Sequence, residues 1–202
     1  TMFFYTIQYI PLASAVTIQY LSPIFTALFA AIYLKEKMKI KQWLYFGMSF
    51  AGVALLKGFD ERVSITFMLI GIISAMFSGM AYTCIRQLKD TEDPIVVVFY
   101  FPLVATPISG VLTYFQWVQP IGSDWLLLLL MGIFTQIAQI LMTKGLQSAV
   151  INKIISVKYI GTFWALGFGF ILFGEVYTLI SLAGIALVIL GVILNLKVKE
   201  SY

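Results

Sequence analysis

The chain has 202 residues, of which 61% are hydrophobic and 11% are charged, and its formal net charge is +4. A soluble domain of this length exposes much of its surface to water, so a mean hydropathy of +0.98 predicts a polytopic membrane protein. Histidine is absent and Cys84 is the single cysteine, which excludes intrachain disulfides and Cys/His metal sites. We expect no cofactor and no metal. Nucleic acid is not an expected partner, because no basic patch lies outside the loops that flank the spans.

Apolar runs divide the chain into one partial and seven full spans. Residues 1–10 form the partial span, which is about 15 Å long as a helix and covers half of a bilayer. Each full span has roughly the 17–25 residues that a membrane crossing needs. We interpret the chain as a fragment that begins within a helix. The full spans are predicted at residues 13–34, 40–56, 64–85, 95–118, 125–143, 149–173 and 178–196.

Basic residues in the connecting segments predict the orientation. One side of the membrane receives nine of them and is predicted to be cytoplasmic: Lys35, Lys37, Lys39, Lys41, Arg86, Lys89, Lys144, Lys197 and Lys199. The opposite side receives Lys57 and Arg62, while Lys153 and Lys158 lie within a span. Scattered loop charge would give a more even division.

Two segments, residues 8–55 and 147–194, repeat one layout at an offset of 139 residues. Each has an apolar helix with a tyrosine in its middle, then an acidic residue just past the helix end, then a second apolar helix that contains Gly-Val. The matched residues are Tyr20 with Tyr159, Glu36 with Glu175, and Gly52-Val53 with Gly191-Val192. The predicted chain crosses the membrane five times between the two acidic residues, so the copies are expected to be inverted, as in many secondary transporters.

The residues that carry this layout resemble the EamA domain, the repeat of the drug/metabolite transporter superfamily. The resemblance rests on residues 9–15, 21–25, 34–37, Trp43 and Gly52-Val53, and the second copy departs from it with Thr162 where the first has Pro23. Within the superfamily the chain looks most like the eukaryotic solute carriers related to nucleotide-sugar transporters. The resemblance implies an all-α bundle of two inverted repeats, ten helices in the intact protein, both termini in the cytoplasm, and alternating-access transport of small organic solutes.

The resemblance also implies the domain organisation. Residues 1–57 would be the C-terminal half of a first EamA repeat, 58–63 a linker loop, 64–196 a complete second repeat, and 197–202 a cytoplasmic tail. The expected partners are the lipid bilayer and a small-molecule substrate, and the sequence leaves a homodimer open. Neither the organelle nor the coupling mode can be read from the residues.

Lys158 is the strongest candidate for substrate binding. It lies about nine residues, or about 14 Å, into its span and near the midplane. A charged lysine there costs about 3 kcal/mol or more unless it faces water or a partner, and no Asp or Glu lies deep in a predicted span. We hypothesise that Lys158 attracts an anionic or carbonyl-bearing solute. The alternative is a lysine that reaches an interface or is neutral in a protein pocket.

Other intramembrane polar residues recur at helical spacing and so share helix faces. Such a face meets either a hydrated cavity or a neighbouring helix, and interhelical hydrogen bonding is the favoured interpretation for the Ser and Thr positions, Ser22, Thr26, Thr143 and Ser156. For the glutamines and tyrosines both interpretations stay open. The remaining candidates for lining a substrate cavity are Tyr159, Gln136, Gln139, Gln19, Tyr20 and Asn152.

Small residues, a proline and two glutamates predict how the helices pack, bend and end. The stripe of Gly71, Ala75 and Gly79 predicts close helix packing, and Pro23 predicts a kink. Glu36 and Glu175 are interpreted as structural anchors at helix ends.

General transport of small organic solutes is weighed against four alternatives. The repeat argues against a seven-span receptor, and the lack of a nucleophile, acid–base pair or metal set argues against a membrane-embedded enzyme. A non-transporting structural subunit and a nucleotide-sugar or sugar-phosphate carrier stay open.

Overall fold

The structure is a computed structural model that describes residues 2–33, 39–60, 62–115, 117–147 and 160–199. These residues form α-helices, one short 3₁₀-helix at Leu88–Asp90 and connecting turns, without a β-strand among them. The predicted all-α class is confirmed. The helices are α1 (Met2–Tyr9), α2 (Leu12–Gln19), α3 (Ser22–Tyr33), α4 (Ile40–Phe59), α5 (Ile65–Gln87), α6 (Pro94–Phe115), α7 (Asp124–Gln147), α8 (Ile160–Phe173) and α9 (Leu179–Lys199).

Four helical segments of the described chain are long and apolar enough to cross a membrane: Leu12–Tyr33, Ile65–Asp90, Pro94–Phe115 and Asp124–Gln147. Ile160–Phe173 and Leu179–Asn195 are shorter apolar helices, and residues 149–159 of the predicted span 149–173 lie outside the described residues. Helix α4 has 20 residues, or about 30 Å, carries Lys41 in its first turn, and is not one of these four segments. The chain therefore forms a polytopic membrane bundle, as predicted.

The chain divides into two compact units, residues 1–83 with 152–202, and residues 84–151. The first unit contains a core of fully buried aliphatic side chains from α2, α3, α4, α5 and α9, among them Ile18, Leu21, Ile24, Val53, Val188 and Val192. Helix α1 packs beside this core, where the Tyr9 ring stacks on Phe67 of α5 at 4.2 Å between ring centroids. In the second unit α6 packs on α7, and both helices expose large apolar side chains.

Helices α4 and α9 make the most extensive helix–helix contact of the first unit. The Asn195 side chain near the end of α9 donates a hydrogen bond to the Gln42 carbonyl in the first turn of α4, at 3.0 Å. Further along α4, Gly52 lies against the Gly184 backbone near the start of α9. The two helices are therefore antiparallel, which is the relation predicted for equivalent helices of two inverted repeats.

Helix α5 packs on α1, α2 and α3 through the predicted stripe of small residues. A Cβ atom on Gly71 would lie 3.1 Å from the Ile18 side chain, and one on Gly79 would lie 2.8 Å from the Ser22 carbonyl oxygen. The Thr26 hydroxyl lies 3.3 Å from the Gly79 carbonyl oxygen. Helices α3 and α5 therefore contact each other through both a small residue and a polar side chain. The stripe serves packing, as the sequence indicated.

Candidate functional site

The first predicted full span is interrupted between α2 and α3 by a two-residue turn at Tyr20 and Leu21, which is called the break below. Tyr20 ends α2, and its N–H is shared between the Val16 and Thr17 carbonyls at 3.2 and 3.1 Å. Pro23, the second residue of α3, has no N–H, and its ring would clash with the carbonyl four residues earlier, that of Gln19. The kink predicted at Pro23 is thus found one turn before the proline, where the N–H groups of Tyr20 and Leu21 bond to carbonyls three residues back.

The break lies near the middle of the membrane segment. Leu12–Tyr33 has 22 residues and is about 33 Å long as a helix. Helix α2 accounts for about 12 Å of that length, so the break falls in the middle third of a bilayer about 30 Å thick. Broken helices at this depth are where many secondary transporters bind their substrates, since the half-helix ends present backbone and side-chain polar groups away from the membrane surface.

Two buried polar atoms at the break have no hydrogen-bond partner among the described residues. They are Oε1 of Gln19 and Oγ of Ser22. The amide nitrogen of Gln19 is satisfied, because it donates to the Ser78 hydroxyl of α5 at 2.7 Å, and this bond fixes the side-chain orientation. A buried polar atom without a partner costs about 1–3 kcal/mol, so these two atoms mark a part of the helix where a ligand or water would complete the hydrogen bonds.

The start of α8 lies against the break. A Cβ atom on Gly161 would lie 2.7 Å from the Tyr20 hydroxyl, so the tyrosine closely approaches the α8 backbone. The Tyr20 hydroxyl also lies beside the side chain of Thr162, which is 3% exposed. Tyr20 itself is buried. Polar side chains of α2 and α8 therefore converge on one place inside the first unit.

The structure brings two of the predicted site residues, Gln19 and Tyr20, to this place. Lys158, Tyr159 and Asn152 lie outside the described residues. Gln136 and Gln139 both lie on α7 in the second unit. Gln136 is exposed and Gln139 is half-buried.

Sequence reasoning missed Thr162 and Ser78 as neighbours of the predicted site residues. Thr162 had a signal, because it is the repeat counterpart of Pro23 and replaces a proline by a hydroxyl at the same helix position. Ser78 had no comparable signal, since its partner Gln19 is 59 residues away.

A second polar cluster, the Glu175 cluster, joins three segments of the first unit. It contains Asp60 and Arg62 of the α4–α5 loop, Glu175 and Tyr177 of the α8–α9 loop, and the Leu12 N–H at the start of α2. The cluster borders a cavity of about 350 Å³ that Arg62, Phe173, Gly174 and Glu175 line together with residues 7–12.

Ion pairing and hydrogen bonding define the Glu175 cluster. Arg62 donates Nε and Nη2 to the two carboxylate oxygens of Asp60, both at 3.0 Å, and these bonds raise the pKa of the Arg62 guanidinium. Partial burial raises the pKa of the Tyr177 phenol, and the hydrogen bond that it donates to Glu175 raises it further. The described residues contain no group of three His, Cys, Asp or Glu side chains able to hold a metal ion.

Comparison with known proteins assigns the family. Residues 1–57 and 65–197 match the EamA-like transporter family. The chain belongs to this family. Its match to a pseudopaline exporter of Pseudomonas aeruginosa is 29% identical over 200 residues and covers 98% of this chain and 70% of the exporter. The EamA resemblance predicted from the sequence is thereby confirmed.

Other relatives of this EamA-family chain come from distant organisms. Human solute carrier family 35 member G1 is 29% identical over 195 residues, which covers 88% of this chain and 53% of the carrier. A riboflavin transporter of Vibrio cholerae is 25% identical over 139 residues, which covers 67% of this chain and 46% of the transporter. These relatives are named as transporters, so the EamA-family chain is a multi-pass integral membrane transporter of small solutes.

A solved crystal structure has the same fold. It superposes with a TM-score of 0.68 and covers 98% of this chain and 72% of its own, at 19% sequence identity.

Proposed function

We propose that the protein moves small organic solutes by alternating access between its two inverted repeats, and that the solute binds at the break between α2 and α3. The observation that carries this proposal is the pair of buried, unpartnered atoms at a helix break near the midplane, Gln19 Oε1 and Ser22 Oγ. An amide oxygen accepts hydrogen bonds and a hydroxyl both donates and accepts. The break is therefore suited to a solute that carries hydroxyl, amine or amide groups.

The charge of the solute depends on Lys158, which precedes the start of α8 by two residues. Among the described residues of α2, α3 and α8 there is no Asp, Glu, Lys or Arg, so the break alone favours a neutral polar solute. Lys158 adjoins this set in sequence and would favour an anion, including the nucleotide sugars and sugar phosphates of the alternative proposal. Loss of transport of anionic solutes only, in Lys158→Met at equal protein abundance, would support that role, and unchanged transport would contradict it.

The first experiment identifies the solute class. Purified protein is tested in a thermal-shift screen with amino acids, riboflavin, nucleotide sugars, sugar phosphates, nucleobases and organic cations. A ligand at 100 times its dissociation constant stabilises a protein by about 2.7 kcal/mol, which is a measurable shift. Riboflavin is included because a relative of this family is named for it.

The second experiment tests the site itself. Gln19→Leu and Ser22→Ala remove the unpartnered atoms, and loss of one hydrogen bond of about 1–3 kcal/mol predicts that binding of the identified solute weakens by about five- to 150-fold. Thr17→Val is the matched control, because the Thr17 hydroxyl is buried in the same helix but donates to the Ala13 carbonyl of its own helix at 2.7 Å. Equal affinity in Gln19→Leu, Ser22→Ala and Thr17→Val would reject the site. A folded protein that binds nothing in the panel would favour a structural subunit.

A further inference from the structure

We infer that Glu175 is a positioning residue for transport, which holds the start of α2 and thereby places Gln19 and Tyr20 at the other end of that short helix. The inference rests on the proposed binding site at the break, but its structural half can be tested without a solute.

The start of α2 has no cap of its own. The residue before the helix is Pro11, which offers no side-chain hydrogen bond to the first turn. The first N–H groups of a helix have no partner within the helix and need an acceptor from elsewhere. The acceptor for Leu12 is Glu175 Oε1, at 2.7 Å and across 163 residues of sequence. A carboxylate at a helix start also interacts favourably with the positive end of the helix dipole.

Both oxygens of the Glu175 carboxylate are engaged, so its position is fixed. Oε2 accepts a hydrogen bond of 2.6 Å from the Tyr177 hydroxyl. The backbone turns sharply just before it, because Gly174 has a φ of +61°, a conformation that favours glycine, and the Glu175 N–H then bonds to the Gly169 carbonyl at 2.9 Å. The carboxylate therefore stands on a backbone that is itself hydrogen-bonded to α8.

The loop that carries Glu175 is held from a second direction. Arg62 donates to the Val176 carbonyl at 2.6 Å while its guanidinium is clamped by the Asp60 carboxylate, which is buried. This interaction joins the loop to the end of α4. Glu175 thus adds a hydrogen bond between the loop held by α4, α8 and α9 and the start of α2, a helix that also packs on α8 and α9.

Helix α2 is short and well packed, so it transmits the position of its start to its end. It has eight residues, and Ala13, Ser14, Ala15, Thr17 and Ile18 are buried in the first unit. About 12 Å of helix separates the Glu175 bond at Leu12 from Gln19 and Tyr20. A shift or tilt at the start of such a helix moves its last residues relative to α5 and α8, where their polar partners lie.

The experiment measures whether Glu175 holds α2. In the full-length protein, Cys84→Ser removes the exposed native cysteine and Ser14→Cys places a thiol of nearly the same size at a position that is 2% exposed. The rate of maleimide labelling then reports opening of the first turn of α2. Glu175→Leu is expected to speed labelling about tenfold or more, because the Leu12 N–H loses its acceptor.

Conservative variants separate positioning from a general need for a charge. Glu175→Gln retains an oxygen for Leu12 and an amide group that can donate to the Tyr177 oxygen, so labelling close to that of wild type is expected. Glu175→Asp is one methylene shorter and cannot reach both partners, so its labelling rate should lie between those of Glu175→Gln and Glu175→Leu. Glu92→Leu is the matched control, because Glu92 is exposed in the α5–α6 loop.

The effect of Glu175 on substrate binding is measured with a solute that binds in the thermal-shift panel. Glu175→Leu should raise KM more than it lowers the maximal rate, and Glu175→Gln should restore KM. Labelling at the wild-type rate in Glu175→Leu would overturn the inference. Where the leucine variant does not fold, labelling at the wild-type rate in Glu175→Asp would overturn it instead. Fast labelling with an unchanged KM would show that Glu175 holds the start of α2 but does not affect binding at the break. Failure of the Gln19 and Ser22 variants to affect binding would instead reject the proposed site, so the two failures are distinguishable.

Discussion

The Ser49 hydroxyl lies 3.4 Å from the Val188 carbonyl oxygen, and the two residues are 139 positions apart, which is the offset of the repeat. The contacts on either side of this pair are reciprocal. Gly52 lies against the Gly184 backbone, and Gly191 lies against the Tyr45 carbonyl. Adding 139 to 45 and 52 gives 184 and 191, so each contact is the repeat image of the other. The axis relating the two copies therefore passes between α4 and α9 near Ser49.

Gly52 should be among the least replaceable residues of this contact. A Cβ atom at Gly52 would lie 2.7 Å from the Gly184 carbonyl oxygen and 2.8 Å from the Val188 nitrogen, both of which are backbone atoms. Gly52→Ala is therefore expected to force α4 and α9 apart and to lower the free energy of unfolding by about 1–3 kcal/mol, the usual cost of overpacking. Thermal unfolding of the purified protein in detergent measures the change.

Gly47 on the same helix provides the control. A Cβ atom there meets nothing within 4 Å, so Gly47→Ala should leave the contact intact and, through helix propensity, stabilise the protein by up to about 1 kcal/mol. Equal unfolding temperatures for the two variants would contradict the close approach of α4 and α9.

Thr83 is expected to contribute to the contact between α3 and α5. It is buried, its hydroxyl donates to the Gly79 carbonyl at 3.0 Å, and it lies 3.3 Å from the Thr26 carbonyl of α3. Interhelical hydrogen bonds in membranes contribute about 0.6 kcal/mol on average, so Thr83→Val should destabilise the protein by about that amount more than Thr17→Val. The free energy of unfolding of both variants tests this. The Thr17 bond stays within α2, so equal losses would show that the Thr26 contact contributes nothing.

Much of the fold could be predicted because it follows from local patterns. The continuous apolar run at 64–85 is found as α5, Ile65–Gln87, and the small-residue stripe within it packs where its spacing indicated. The inversion of the repeat could be predicted from the parity of the crossings, and the antiparallel α4 and α9 confirm it. The kink at Pro23 could be predicted from the missing N–H of proline.

The partners of the polar side chains could not be predicted in the same way. Glu175 was correctly interpreted as lying at a helix end, yet nothing in the sequence near it indicates Leu12, 163 residues away, as its partner. The Arg62 bond to the Val176 carbonyl spans 114 residues and uses a backbone acceptor, which has no residue signature. Lys158 and Tyr159 lie outside the described residues, so their roles stay predictions.

Replacing Pro23 should separate stability from transport. Pro23→Ala restores an N–H that can bond to the Gln19 carbonyl, which favours one continuous helix through Tyr20 and Leu21. We expect the unfolding temperature to be unchanged or higher. Straightening also withdraws Gln19 and Tyr20 from α5 and α8, so binding of the identified solute should weaken by about tenfold, as for loss of one hydrogen bond.

Pro107 offers a matched proline inside a helix. It is exposed within α6, so Pro107→Ala should leave solute binding unchanged. Isothermal titration calorimetry measures the affinity of both variants for the identified solute. Wild-type affinity in Pro23→Ala would mean that the break is not needed for the site.

Tyr177 should remain protonated well above the pH at which a free tyrosine ionises. Partial burial, followed by the hydrogen bond to Glu175, raises its pKa from the ordinary value of 10.0. Because the folded-state pKa is the higher one, the contribution of the phenol to stability is fully present below about pH 10 and is lost only as the pH rises through the folded-state value. The absorbance of phenolate at 295 nm, compared between wild type and Tyr177→Phe, measures this. The two curves should coincide through pH 10 and diverge only above it, and Glu175→Gln should bring the Tyr177 step to lower pH. A step near pH 10 that disappears in Tyr177→Phe would show that the phenol is not held against the Glu175 carboxylate.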